Sequence, residues 1–165
     1  MQSTLAELRE CIPQVGQLQG IGLRPERKTP IKVVEEARVI LGKGLEGDRF
    51  SGKAQSTRQI TLIQEEHLAA VASILGLEAL DPWAMRRNLV VSGINLLSLK
   101  GMRFAIGEVV LEGTGLCHPC SRMEEVLGPG GYNAMRGHGG ITAKVIKEGT
   151  IRVGDAIRYM EVVPS

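Results

Sequence analysis

The sequence predicts a mainly β protein, an antiparallel β-barrel with a few short helices, built as one domain over residues 1–165. Three observations carry this reading. Most apolar runs are short and end at glycine-containing turns. Only the segment 64–75 has the apolar spacing of a well-formed helix. Strands and helices do not alternate as a parallel βαβ sheet requires.

Composition narrows the function classes. With 43% apolar and 23% charged residues, the chain can bury a core and is not disordered as a whole. A net charge of +2 gives no broad field for nucleic acid or an anionic membrane, so any anion site must be local. No apolar run is long enough to span a bilayer, and MQSTLAELRECIPQ lacks a basic segment followed by an apolar one. The expectation is a soluble cytoplasmic protein with a small-molecule substrate, and with neither nucleic acid nor a membrane as partner. Three cysteines, Cys11, Cys117 and Cys120, cannot all pair within one chain, which points to free thiols in a reducing compartment.

Taken in order, Leu5 and Leu8 share a face of a short first helix that Cys11, Ile12 and Pro13 close. Residues 15–23 alternate apolar side chains and glycines irregularly, the pattern of a bulged strand. A polar segment, 24–28, precedes one further strand over 33–41 and a glycine-rich loop over 42–52. Residues 60–63 form a short strand. In 64–75, Leu68, Val71, Ala72 and Leu75 fall on one helical face, and Gly76 stops the helix. Asp81 and Pro82 start a second short helix ending at Met85. Strands are expected at 88–91, 102–106, 109–112, 141–146, 151–153 and 156–162, and a helical turn at 121–127.

Three constellations have chemical content. Gly42, Gly44 and Gly47 match a dinucleotide-binding glycine pattern, but the polar residues that follow have no apolar stripe for the helix such a site needs. A surface loop, or an anion-binding nest with Arg49, Lys53 and Arg58 nearby, fits the same residues. Cys117-His118-Pro119-Cys120 has three possible uses besides two inert thiols. A structural zinc site lacks a second paired motif. A redox disulfide lacks the fold it is usually built on. A single reactive thiol at Cys120, before a helical turn and close to Arg122, could hold a soft metal or a sulfane sulfur. Finally, Arg86, Arg87 and Asn88 lead into an apolar strand, and residues 136–140 form a cationic glycine loop around His138; each is either a solvated strand end or turn, or an anion clamp.

In order, GLEGDRF (44–50), RQITLI (58–63), RRNLVVSGINL (86–96), GLCHPCSRME (115–124) and RGHGGITAKVIKEGTIRVGDAI (136–157) resemble the MOSC domain, named for the C-terminal domain of molybdenum cofactor sulfurase. The similarity is to the short stand-alone bacterial type and spans nearly the whole chain. It implies a barrel-like antiparallel β fold. It also implies that Cys120 either ligates molybdenum in a bound pterin cofactor or carries sulfur as a persulfide, with Cys117 as an accessory thiol. Gly47, Asp48 and Arg49, together with Arg87 and Asn88, would line the same pocket. Arg122 and His138, from the same matched segments, complete the expected cofactor-binding set. One position departs from the pattern: Phe50 stands where similar short members often have a histidine, so that histidine's role as proton donor has no carrier there.

Three functions follow as expectations. The first is a molybdenum cofactor (molybdopterin) oxidoreductase that reduces N-hydroxylated small molecules with electrons from a partner reductase. The second is a sulfur carrier, supplied at Cys120 by a cysteine desulfurase, through which alone pyridoxal phosphate would enter. The third is a thiol–disulfide oxidoreductase using Cys117 and Cys120.

Overall fold

The computed structural model describes residues 2–49 and 56–164. Its strands are β1 (Val15–Leu23), β2 (Lys32–Val34), β3 (Glu36–Ile40), β4 (Gly44–Leu45), β5 (Ile60–Gln64), β6 (Leu89–Ser92), β7 (Met102–Ile106), β8 (Val109–Leu116), β9 (Ile141–Lys147), β10 (Gly149–Arg152) and β11 (Ala156–Val162). Seven of them close a barrel in the order β1-β11-β7-β8-β9-β5-β6 and back to β1, with β2 appended to β1. A small second sheet, β10-β3-β4, lies beside it. Closure leaves no barrel strand with an open edge, which removes the commonest route to strand-mediated association. The helices are α1 (Leu5–Arg9), α2 (Glu65–Leu75), α3 (Ser121–Leu127) and α4 (Gly131–Met135). No helix among the described residues is long and apolar enough to cross a membrane.

The barrel is mixed rather than purely antiparallel. β5 and β6 run parallel, with Leu62 opposite Leu89 and Gln64 opposite Val91. The physical reason is α2, which carries the chain back across the barrel wall between the two strands, the crossover that a parallel pair demands. Gly76 ends α2 at φ +72, where a side chain would be strained.

β5 and β6 bury both faces, which explains their uninterrupted apolar runs. Leu62, Leu89 and Val91 point into the barrel with Leu18, Ile21, Phe104, Ile106, Leu111, Ile141 and Ile157. Ile63 and Val90 point outward and pack with Leu68 and Val71 of α2, Met123 of α3, Ala134 and Met135 of α4, and Met85. The barrel lumen is therefore solid, and the short helices sit on the outer face of the parallel pair.

Several elements differ from the sequence expectation. The strand expected at 33–41 is two strands broken at Glu35, because β2 stays with the barrel while β3 joins the small sheet. The loop expected at 42–52 includes β4, paired with β3. β8 runs past Glu112 to Leu116, with irregularities at Gly113 and Gly115 where a side chain would meet the Leu99 carbonyl or Thr142. The turn that ends at Met85 is 3-10 rather than α, capped by Asp81 as expected. A second 3-10 turn, Leu96–Leu99, and α4 have sequences too short to show helical periodicity. The bulge expected in β1 lies between Leu18 and Gly20.

Phe104 is fully buried at the barrel centre. Phe104→Ala is expected to cost about 3–5 kcal/mol, through lost burial and the cavity left behind, measured as a lowered denaturation midpoint in urea with an unchanged slope.

Candidate functional site

The ends of β1, β5, β6 and β8 and the loop before β9 converge outside the solid barrel. A buried polar knot holds them together. Asn88, fully buried just before β6, accepts from the Thr61 amide at 3.1 Å and hydroxyl at 3.3 Å, and donates through Nδ2 to the Gly22 carbonyl and Asp48 Oδ1, both at 3.2 Å. Its own amide donates to Thr61 Oγ1 at 3.0 Å. Thus one amide side chain ties β1, β5 and β6 to the loop after β4, with its donors and acceptor all engaged.

Asp48 is the second member of the knot. Its carboxylate, only 1% exposed, accepts three hydrogen bonds from Arg24: the amide at 2.7 Å, Nε at 3.1 Å and Nη2 at 2.9 Å. Burial alone would raise the Asp48 pKa, but the hydrogen bonds and charge of Arg24, aided by Asn88, outweigh it and hold the carboxyl below its ordinary range. The Arg24 carbonyl in turn accepts from the Arg49 amide at 2.7 Å. Arg24 and Arg49 are thereby fixed side by side.

Above this knot lies a cavity of about 300 Å³, lined by Arg24, Arg49, Arg58, Thr61, Met85, Arg86, Arg87, Cys117, His118, Cys120, Arg122 and Met123. Six of these are arginines, and no carboxylate lines the cavity among the described residues. Three arginines are oriented by the protein. Arg24 is held by Asp48, Arg87 donates to the Gly139 carbonyl at 3.0 Å and the Met85 carbonyl at 2.8 Å, and Arg86 donates to the carbonyls of Thr29 and Glu26. The Arg49, Arg58 and Arg122 guanidiniums make no hydrogen bond or ion pair among the described residues. Burial, and then repulsion from Arg122, Arg24 and Arg49, pulls the Arg86 pKa below its ordinary value, a direct sign of crowded positive charge.

The two thiols differ. Cys120 is exposed and is the N-cap residue of α3. Cys117 is buried, and burial pushes its pKa up, although Arg87, Arg58 and Arg24 oppose the shift, so it stays a neutral thiol at pH 7. Gly139 and Gly140 make the tight packing behind Cys117 possible: a Cβ at Gly139 would lie 2.1 Å from the Cys117 carbonyl oxygen, and one at Gly140, with φ +87, only 1.8 Å from that of Leu62.

Among the residues singled out from sequence, Arg49, Arg87, Cys120 and Arg122 line the one cavity. Asp48 and Asn88 form the wall behind it and position arginines instead of facing the interior. His138 is placed elsewhere. Its ring packs edge-on against His67 of α2, with centroids 5.1 Å apart, because the turn at residues 135–138 directs it outward from the cavity lining. Phe50 and Lys53 lie outside the described residues. Sequence reasoning missed Arg24, Thr61 and His118 as lining residues, named Arg58 only as nearby charge, and had Arg86 as one end of a possible anion clamp. Arg24 was legible as the first cation after an apolar strand, the same position that singled out Arg87 before one.

Fold and cavity together describe a small β-barrel with a thiol in an arginine-lined hollow at its rim. The family model for the MOSC domain matches residues 45–158, and the chain belongs to that family. Among solved structures, the YuaD protein of Bacillus subtilis is similar with a TM-score of 0.78 at 20% identity, over 91% of this chain and 98% of that one. YiiM of Geobacillus stearothermophilus gives 0.69 at 17% identity over 88% of this chain and 75% of that one, and YiiM of Escherichia coli gives 0.66 at 18% over 90% and 72%. No curated protein matches the chain in sequence.

Folding lowers the Asp48 pKa, so its contribution to stability is complete above the ordinary carboxyl value of 3.8 and is lost as pH falls through the lower folded value. Asp48→Asn is expected to cost about 3 kcal/mol near neutral pH, because it leaves the Arg24 charge uncompensated. It should also flatten the loss of stability below that value. Urea denaturation in neutral and in acid buffer checks both, and an unchanged acid slope in the variant would refute the assignment.

Proposed function

We propose that this protein binds a molybdenum–pterin cofactor with Cys120 as the metal ligand, and reduces N-hydroxylated small molecules with electrons from a separate reductase. The observation that carries the reading is one exposed soft donor in a cavity lined by six arginines and, among the described residues, no carboxylate. A pterin cofactor combines a phosphate with a soft, sulfur-rich metal end, and this donor set suits both parts. Arg49 and Arg58, whose guanidiniums have no hydrogen bond or ion pair among the described residues, would take the phosphate together with Arg24. When bound, the group supplies two-electron chemistry, in which R–NHOH, two electrons and two protons give R–NH2 and water.

The chain's own residues do the remaining work. Asp48 and Asn88 hold Arg24 and Arg49 at the phosphate end, while the Gly139 and Met85 carbonyls aim Arg87 across the cavity. His118, the Cys117 thiol and the Thr61 hydroxyl, which is held by Asn88, are the proton-bearing side chains on the wall besides the arginines and Cys120. The burial of Cys117 disfavours a thiol–disulfide cycle, since a resolving thiol must ionise and be reached.

Protein made in a host that synthesises the cofactor should contain molybdenum at close to one atom per chain. Elemental analysis should show this fall roughly tenfold or more in Cys120→Ala and persist in Cys117→Ser. If the unmutated protein lacks molybdenum but gains one sulfur atom by intact mass after incubation with a cysteine desulfurase, sulfur carriage replaces this reading.

A further inference from the structure

Two further hollows with different linings adjoin the cavity through shared residues and form its two arms. One, of about 300 Å³, is bounded by Arg24, Arg49, Ser56, Arg58 and Thr61. The other, of about 450 Å³, is bounded by Pro30, Ile31, Asp81, Trp83, Ala84, Arg86, Arg122 and Val126. The arms share no residue with each other, yet each shares arginines with the central cavity: Arg24, Arg49 and Arg58 on one side, Arg86 and Arg122 on the other. The thiols line the central part alone. A molecule seated in the second arm therefore meets an aromatic, apolar surface together with the two guanidiniums that the arm shares with the central part.

The aromatic wall is built in. The benzo ring of Trp83 occupies the space that a Cβ at Gly20 or Gly22 would take, with contacts of 2.6–3.0 Å to those notional atoms, and Ile31 fills the rest of the space over Gly22. Two glycines in β1 thus let the indole lie close against the strand. Asp81 fixes the start of the turn by accepting from the Trp83 amide at 3.0 Å. The cations are also placed. Arg86 adopts a left-handed backbone, φ +56, and its guanidinium donates to the carbonyls of Thr29 and Glu26, which orient it without cancelling its charge. Arg122 follows Cys120 by two residues and has no partner among the described residues. Two cations face one carboxylate, Asp81, in this arm.

We propose that the Trp83 arm is the substrate subsite, and that it selects planar aromatic molecules carrying an anionic group, the ring lying against Trp83 and the anion on Arg86 and Arg122. This rests on the reading of Cys120 as the reacting centre, and it adds the substrate's chemical class to that reading. A carboxylate and a phosphate share the recognising chemistry, bidentate acceptance from arginine, and the test below separates them. The first arm has three arginines and no aromatic or aliphatic side chain in its lining, which suits the phosphate of the cofactor better than a ring.

Trp83 is the single tryptophan of the chain, so its fluorescence reports this arm directly, in protein free of molybdenum. Titrations with benzoate and with phenyl phosphate are compared with neutral benzyl alcohol and with inorganic phosphate. Saturable quenching is expected from at least one aromatic anion, with an apparent affinity at least roughly tenfold above that for benzyl alcohol, as one charge-assisted hydrogen bond supplies. The stronger of the two identifies the anion. Arg122→Gln, at an exposed side chain that holds nothing else in place, should reduce that preference to about threefold or less. Inorganic phosphate should not quench, and should displace the aromatic anion only at a concentration at least roughly tenfold higher, since it has the anion without the ring. Equal quenching by the neutral and anionic rings, no quenching by any ring, displacement by inorganic phosphate at equal concentration, or an Arg122→Gln variant that keeps the full preference would each overturn the proposal. Molybdenum content is measured separately, so absence of the metal with selective quenching sinks the cofactor reading alone, and the metal without selective quenching sinks this one alone.

Discussion

Six guanidiniums crowded around one cavity repel one another, and the molecule fixes three of them in two ways. Arg24 receives a true counter-charge, Asp48, buried behind the wall where no ligand competes for it. Arg86 and Arg87 receive backbone carbonyls, which orient a guanidinium while leaving its full charge to act on the cavity. Orientation and neutralisation are thereby separated. The cavity keeps a standing positive potential that an anionic ligand relieves, and ligand binding and the stability of the rim are coupled through the same side chains.

The two thiols show a similar division of labour by burial. Three residues apart in sequence, both line the cavity, one buried and one exposed. Cys117 continues the strand inward, where its amide donates to the Gly140 carbonyl at 2.9 Å, and its side chain packs behind Arg87. Cys120 caps the helix and faces water. Met123, one turn into α3, anchors that helix in the outer apolar cluster with Ile63 and Met135, so the position of Cys120 depends on packing against the parallel pair. A soft donor at the cavity mouth is in this way carried by core packing, although the thiol itself is exposed.

Much of this was legible in sequence. Strands announced themselves where apolar runs were bounded by glycines; Cys120, Arg87 and Arg122 stood out as a thiol or cations at a strand end or helical turn and Arg49 as charge beside a glycine loop, while their sharing of one pocket was what the MOSC resemblance implied. What stayed hidden is non-local. The parallel pairing of β5 with β6 depends on where α2 delivers the chain, and short apolar runs do not encode direction. Arg24 and Arg58 reach the cavity through barrel closure, which brings together residues far apart along the chain. His138 shows the converse: a histidine in a glycine-rich loop beside the thiol segment resembles a ligand, but the backbone of that loop turns it toward His67. Local pattern identifies which residues carry chemistry, and only the closed barrel decides which way they face.

The location of the site follows from what the barrel cannot offer. Its lumen is filled by fully buried aliphatic side chains and Phe104, so no ligand enters there. The outer face of β5 and β6 is covered by α2, α3 and α4, which closes the second available surface. The cavity with the thiols lies instead at the strand ends, where the backbone groups that no ladder satisfies must find partners or meet water. Asn88 meets part of that need at the end of β6 by bonding β1 and β5 together, and in doing so it gives Asp48 a donor and Arg24 a fixed base. The demand for hydrogen-bond satisfaction at the rim thus builds the scaffold on which the arginines stand, and the glycines at 139 and 140 let the thiol-bearing turn approach that scaffold at backbone distance.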